Sequence, residues 1–384
     1  MKALIIGAGI GGMSAAASLK QQGIECEVFE AVKVMKPVGA AISVWSNGVK
    51  CMNHLGMGYI MDKLGGPMLS MAYLEAKTGT VMTQFSLSPL IDAVGERPCP
   101  VSRADLQSMM IDDWGREKVQ FGKRIERVEQ DESSVTAYFT DGTSATGDFM
   151  IAADGANSAV RETVIGKKIE RRYAGYVNWN GLIEVDESIA PKQQWTIFVA
   201  EGKRVSVMPI ADNRFYFFLD VPLPLGLPED RETLRNDLKG YFEGWVEPVQ
   251  TLIEKLDPMT TNRIEIHDVE PIDTFVKGRI ALLGDSAHPT TPDIGQGGGS
   301  AMEDSVALGM AFSETKDIET ALAAYESMRH ERATDLVLKA RKRCDVIHAK
   351  DPAATETWYQ ELKEETGENI IEGLKQTIVN GPLG

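Results

Sequence analysis

The feature that most constrains this chain lies in residues 2–22. The apolar run Lys2 to Ile6 leads into Gly7-Ala8-Gly9-Ile10-Gly11-Gly12 and then into a helix-forming stretch, Met13 to Gln22. Strand, glycine turn and helix in this order make the phosphate cradle of a doubly wound α/β sheet. Gly7 allows the turn, Gly9 lets backbone approach a pyrophosphate, and Gly12 lets helix pack close on strand. The amides around Gly11, at the positive end of the helix dipole, favour a bound anion. After Gly23, a second strand (Glu25 to Phe29) ends in Glu30, whose carboxylate can accept hydrogen bonds from both adenosine ribose hydroxyls and would repel a 2′-phosphate. The cradle alone is compatible with NAD or FAD.

Two more strand ends carry acids. Asp148-Phe-Met-Ile-Ala-Ala empties into Asp154-Gly155, with Ser158 placed to cap the helix that follows. Gly278-Arg-Ile-Ala-Leu-Leu empties into Gly284-Asp285, then Pro292-Asp293-Ile-Gly295-Gln296-Gly297-Gly298-Gly299 and a helical pattern from Ser300 through Leu308. An aspartate at a strand end can hold a ribityl hydroxyl. A glycine-rich helix start can set amides beside an isoalloxazine carbonyl, stabilising the charge of a reduced flavin.

With Arg103 in Pro-Val-Ser-Arg-Ala-Asp-Leu, these motifs give a sequence that resembles the group A, aromatic-hydroxylase-like, FAD-dependent monooxygenases over Met1 to about Asp304. Within them it is most similar to the bacterial FAD-dependent urate hydroxylases. The resemblance implies an α/β fold: a Rossmann-like FAD-binding domain of the p-hydroxybenzoate hydroxylase type, an inserted antiparallel substrate sheet and C-terminal helices. It implies tightly but non-covalently bound FAD, NADH or NADPH as co-substrate, and O₂ added to give a C4a-hydroperoxide that hydroxylates urate to 5-hydroxyisourate. By the same resemblance Gly7, Gly9, Gly11 and Gly12 meet the pyrophosphate, Glu30 the ribose, Arg103 the FAD, Asp285 the ribityl chain, and the backbone from Gly295 to Gly297, Gly298 and Gly299 the flavin pyrimidine. Asp154 serves both FAD and the nicotinamide path. Many relatives carry asparagine where this chain has Gly299, which removes a side-chain contact there.

Other readings stay open at this point. A salicylate-like aromatic acid is the alternative substrate. An NAD-dependent dehydrogenase shares the first cradle but leaves the later motifs unexplained. A flavin-binding protein without turnover would show the same motifs.

Between about Tyr176 and His267 the chain changes character, with runs of β-formers at Val177 to Val185, Trp195 to Ala200, Arg204 to Met208 and Phe215 to Val221. These predict an antiparallel sheet roofing the flavin. The period of two puts Arg204, Ser206 and Met208 on one face, and aligns Arg214, Tyr216 and Phe218. The register that would join Arg204 to Tyr216 is not fixed by the sequence. For an anionic purine, Arg204 and Tyr216 are the expected catalytic and substrate-binding pair, and Asp293 the acceptor for a purine N–H. His288 reads as structural, since oxygen transfer to an ionised substrate needs little base catalysis. Trp45, Trp179 and Trp195 read as packing residues, Met302 and Met310 as helix core, and Met310 to Lys350 as helices carrying Tyr325, Arg329 and Arg332.

The expected segments are 1–75, 98–175 and 268–320 for the FAD-binding domain, 76–97 and 176–267 for the substrate domain, and 321–384 for the helical region. With 40 basic against 56 acidic residues and a formal charge of −16, nucleic acid and anionic membrane are disfavoured partners. Cys26, Cys51, Cys99 and Cys344 have no C-x-x-C or metal-ligand spacing, so no metal is expected and the thiols point to a reducing cytoplasm. No apolar run is long enough to span a membrane.

Overall fold

A computed structural model describes residues 1–35 and 41–384. A six-stranded sheet runs in the order Val276–Lys277, Ile280–Leu282, Phe149–Ala152, Lys2–Ile6, Glu25–Glu30 and Val119–Phe121. All its pairs are parallel except the edge hairpin. Phe149–Ala152 and Ile280–Leu282 are fully buried apolar strands, as a sheet covered on both faces requires. The glycine cradle and the Asp154 and Asp285 motifs leave from the ends of three adjacent strands, Lys2–Ile6, Phe149–Ala152 and Ile280–Leu282, and Glu30 ends the next strand, Glu25–Glu30.

Small side chains let the covering helices approach. Helix Ile10–Gln21 packs on helix Gly297–Glu314, where Ser305 Oγ donates to the Gly11 carbonyl at 3.3 Å and a Cβ at Gly309 would overlap Ser18. Both helices begin a few residues earlier than the sequence pattern places them, because their first turns are glycine.

The second sheet has seven strands: Asn262–Asp268, Arg172–Glu184, Arg214–Pro222, Lys203–Ile210, Gln194–Ala200, Ser70–Glu75 and Val81–Ser86. The four expected runs of β-formers are all strands of it. Three expectations need correction. The sheet is mixed, because Ser70–Glu75 pairs parallel with Gln194–Ala200. That strand also moves the end of the first FAD-domain segment from residue 75 to before Ser70, so the substrate sheet begins there and not at 76. The strand Arg172–Glu184 likewise crosses the 175/176 boundary, since Arg172 and Tyr173 already pair with Asp268 and His267.

One face of this sheet packs on helices Leu234–Tyr241 and Glu247–Lys255, burying Phe215, Phe217, Phe242 and Trp245. The other face, carrying Ile197, Val199, Met208 and Phe218, meets Trp45, Trp358 and Leu362. The helix Ile318–Ile347 has 30 residues, about 45 Å, and touches both sheets. Tyr325 donates to the Leu282 carbonyl at 2.9 Å near one end, and Arg341 reaches Asp268 at 2.9 Å near the other. The end of the expected helical region, in which the sequence marked no individual elements, forms helices Pro352–Glu364 and Glu368–Ile378.

Candidate active site

At the first cradle, Gly7 has φ +105° and a Cβ there would overlap the Ala153 carbonyl oxygen, so the loop is pressed against the Asp154-Gly155 turn. A Cβ on Gly12 would overlap the Gly7 carbonyl oxygen, and one on Gly11 would sit 2.9 Å from Leu283 Cδ2. Gly9 differs, since among the described residues a Cβ there meets no atom within 4 Å. Among the described residues Gly9, the helix N-cap, therefore fronts open space before the helix-start amides, which is the shape a pyrophosphate requires. Glu30 stands at the rim and accepts from Ala8 N at 2.9 Å and Val32 N at 3.0 Å. Arg103 begins helix Arg103–Trp114, and one turn on, Gln107 Nε2 donates to the Ala8 carbonyl at 2.9 Å, which ties this helix to the cradle.

The Asp154 and Asp285 motifs are clamped together by a residue the sequence reading passed over. Arg161 is buried and donates to the Ser286, Asp285 and Ala156 carbonyls at 2.7, 2.8 and 3.0 Å. Burial raises the Asp154 carboxyl above its ordinary range, against the opposing pull of Ser158 and Ala159. Among the described residues its Oδ1 is buried without a partner, while Oδ2 accepts from Ala159 N at 2.8 Å. Asp285 is exposed. An exposed acid, an orphaned carboxylate oxygen and an open glycine cradle are what FAD needs from this face.

Gly295 is left-handed (φ +63°), with Trp45 Nε1 2.7 Å from where its Cβ would stand. Gly297, Gly298 and Gly299 form the first turn of helix Gly297–Glu314. A Cβ at Gly299 would be 3.3 Å from Asn47 Nδ2, so the space beside Gly299 is taken by Asn47 from helix Ser46–His54. Asn47 Nδ2 donates to Gln296 Oε1 (2.9 Å) and Glu303 Oε1 (2.7 Å).

The glycine helix is held by buried charge. Asp304 accepts from Gly284 N (2.8 Å) and Arg329 Nε (2.7 Å), with His288 Nε2 at 2.7 Å. Arg329 also lies 2.8 Å from Glu303, which Arg332 contacts at 2.6 Å. Burial would raise the Asp304 carboxyl, but His288 and then Arg329 outweigh it and hold it below the usual carboxylate range. His288 thus stands in a buried ion network, away from open space.

On the substrate sheet the open question of register is settled: Arg204 pairs with Asp220, Ser206 with Phe218 and Met208 with Tyr216. Arg204 and Tyr216 therefore share a face, about 13 Å apart along the strands. Asn178, opposite Asp220 on the neighbouring strand, joins them and donates to Asp220 Oδ1 at 2.6 Å. Arg204 Nε donates to Asp220 Oδ2 at 2.7 Å, and Nη2 contacts Asp220 at 2.7 Å and Asp293 Oδ1 at 3.0 Å. Nη1 makes no hydrogen bond among the described residues. The two carboxylates are fully buried and the guanidinium is 8% exposed. Burial acts to lower the Arg204 pKa, but Asp220 and Asp293 outweigh it and raise it, so the cation is permanent. Burial, then Asp220, push the Tyr216 phenol far above its ordinary value, leaving a neutral O–H donor.

Asp293 is placed otherwise than expected. Its carboxylate is turned into the protein, with Oδ1 toward Arg204 and Oδ2 accepting from Tyr176 Oη at 3.1 Å. It meets Arg204 and not open space, so a direct acceptor role toward substrate gives way to holding Arg204. Asp220 and Asn178 were not singled out from the sequence, although an acid and an amide on the Arg204–Tyr216 face of apolar strands were signals available to it.

Comparison with known proteins agrees with this geometry. Residues 1–340 match the family model described as FAD binding domain. An FAD-dependent urate hydroxylase of Klebsiella pneumoniae is 65% identical over 384 residues, covering 100% of both chains. The crystal structure of Klebsiella pneumoniae HpxO complexed with FAD and uric acid superposes with a TM-score of 0.99 at 64% identity, over 100% of this chain and 98% of that one. A salicylate hydroxylase substrate complex superposes with a TM-score of 0.79 at 21% identity, over 100% of this chain and 99% of that one, which speaks for a shared fold alone.

Proposed function

We propose, from the premise that the chain belongs to the FAD binding domain family of flavoprotein monooxygenases, that it hydroxylates urate to 5-hydroxyisourate with O₂ and NAD(P)H. Bound FAD supplies the oxygen-activating and electron-carrying chemistry. The observation that carries the substrate is the caged guanidinium. Arg204 is a permanent cation fixed by two buried carboxylates, on one sheet face with a neutral phenol and an amide.

That set suits a planar, anionic, donor- and acceptor-rich heterocycle better than a simple aromatic acid. Arg204 Nη1 holds the substrate anion and its carbonyl oxygens, and the Tyr216 hydroxyl supplies one donor. Asp220 and Asp293 keep the guanidinium from turning. The surrounding Met208, Phe218 and Trp195 exclude water. Asp154, Asp285, Glu30, Arg103 and the glycines hold the cofactor. The two-sheet architecture and the second and third motifs leave no role for the dehydrogenase reading.

A cytoplasmic location is part of the same reading. Its support is that all four cysteines are unpaired and that, among the described residues, no helix is long and apolar enough to cross a membrane.

The test is turnover with urate and, separately, salicylate, following NADH loss, O₂ uptake and product. Stoichiometric hydroxylated purine is expected, and an Arg204→Gln variant is expected to consume NADH while forming much less product. NADH oxidation that yields only peroxide with urate would refute the reading, and an unchanged yield per NADH in the variant would remove Arg204 from the mechanism.

A further inference from the structure

Behind Arg204 lies a buried layer that the reading above leaves unused. His348 follows the end of helix Ile318–Ile347 and stacks on Tyr176, with ring centroids 3.7 Å apart and planes inclined by 22°. Its Nδ1 is 3.4 Å from the Gly202 carbonyl oxygen. Its Nε2 is 3.4 Å from Asp293 Oδ1, within ion-pair range but poorly aligned, so among the described residues this nitrogen is buried without a hydrogen-bond partner. A buried polar atom aimed at a carboxylate and not bonded to it is unusual enough to require a reason.

Charge counting supplies one. Arg204 is a single cation between Asp220 and Asp293, so with a neutral imidazole the buried cluster carries one net negative charge. An anionic substrate on Arg204 adds a second where little water screens it, and buried charge is costly unless compensated.

The groups facing His348 narrow the source of compensation. From the strand Arg172–Glu184 comes Tyr176, whose phenol burial pushes well above its ordinary value. From its own helix comes Cys344, whose thiol burial, then Asp293, push up. From the turn Pro292–Ile294 comes Asp293, and from the hairpin between Gln194–Ala200 and Lys203–Ile210 only the Gly202 carbonyl. Tyr176 and Cys344 cannot supply positive charge. The neighbouring cations are engaged: Arg341 with Asp268 and Glu270, Lys350 with Asp345, and Arg343 over the Trp358 ring. Donor atoms of Asp293, Cys344 and His348 lie within 4.8 Å of one another, but Arg204 already sits on the shared Asp293 oxygen and would repel a metal ion. Histidine is the side chain that changes charge nearest neutrality.

We propose that His348 takes up one proton from solvent when the anionic substrate docks on Arg204, becomes the counter-cation of Asp293, and returns the proton when the site empties. The inference rests on the urate reading. It makes His348 a positioning residue, acting through Asp293 on Arg204.

The experiment uses FAD-loaded protein and urate without NAD(P)H, so that nothing turns over. Titration calorimetry in buffers of different ionisation enthalpy counts protons, and flavin absorbance gives Kd against pH. Uptake approaching one proton per urate is expected, with Kd rising toward about tenfold per pH unit on the alkaline side of neutrality. His348→Gln should abolish the buffer dependence and flatten the Kd profile. Tyr176→Phe keeps the ring stack and removes one donor from Asp293, and should move the uptake maximum to higher pH.

Wild-type binding without proton uptake at any pH would overturn the proposal, as would equal uptake in His348→Gln. Should that variant fail to hold FAD, an unchanged uptake profile in Tyr176→Phe would overturn it. Urate binding without proton uptake removes this inference alone, whereas failure to bind urate removes both it and the functional reading.

Discussion

Replacing Arg329 by Met tests what holds the glycine helix in place. Arg329, Glu303 and Asp304 are fully buried, with contacts of 2.8 and 2.7 Å between guanidinium and carboxylates. At an effective dielectric of about 20, unit charges this close attract by about 6 kcal/mol. Desolvation offsets much of that, and removing one partner of a buried pair typically costs about 3–5 kcal/mol because the other charge is left uncompensated. Glu303 keeps Arg332, and Asp304 keeps His288 and the Gly284 amide, so the lower end of that range is expected. In urea at saturating FAD, followed by far-ultraviolet circular dichroism, the midpoint should fall by about 1 M. Asp304→Asn should also destabilise. The double variant removes both charges, so its loss should be smaller than the sum of the single losses by at least about 1 kcal/mol. Strictly additive losses, or a midpoint unmoved by Arg329→Met, would refute the argument from uncompensated charge.

The cradle glycines should separate by what a Cβ would meet. Gly12→Ala should weaken both folding and FAD content, whereas Gly9→Ala should leave the FAD-free protein's urea midpoint unchanged while lowering FAD affinity at least about tenfold; equal effects on stability would contradict the geometry. The acid stability follows from Asp293, Glu303 and Asp304, all held below the usual carboxylate range. A carboxyl depressed on folding contributes stability that is complete above its unfolded pKa, about 4, and is lost as pH falls through the folded value. Melting temperature should therefore drop steeply only below about pH 4, with the drop beginning nearer neutrality in Arg329→Met, and a profile identical in both proteins would count against the assignment.

What could be read from the sequence was what short range encodes. The cradle, Glu30 and the two later strand-end acids are local patterns, and the period of two placed Arg204 with Met208 and Tyr216 with Phe218 correctly. Register was out of reach because it depends on which backbone groups pair across the hairpin, and only that pairing set Asp220 opposite Arg204. Asp293 was picked out as important from its neighbourhood, yet its direction was set by partners 89 and 117 residues away, Arg204 and Tyr176. Arg161 and His348 escaped notice for the same reason, and Arg329 was named only as a residue carried on a helix. Each is an ordinary polar residue on a helix or at its end until folding buries it against an acid or a row of carbonyls. Ser70–Glu75 looked like the end of one domain because a strand's sequence does not say which sheet it joins.

The thirty-residue helix bonded to Leu282 at one end and Asp268 at the other works as a splint. With both sheets fastened to one stiff rod, opening them like a clamshell would require the rod to bend or to release its contact with Leu282 or Asp268. Grafting the substrate sheet of a relative onto this chain would therefore need the distal half of the splint to travel with it.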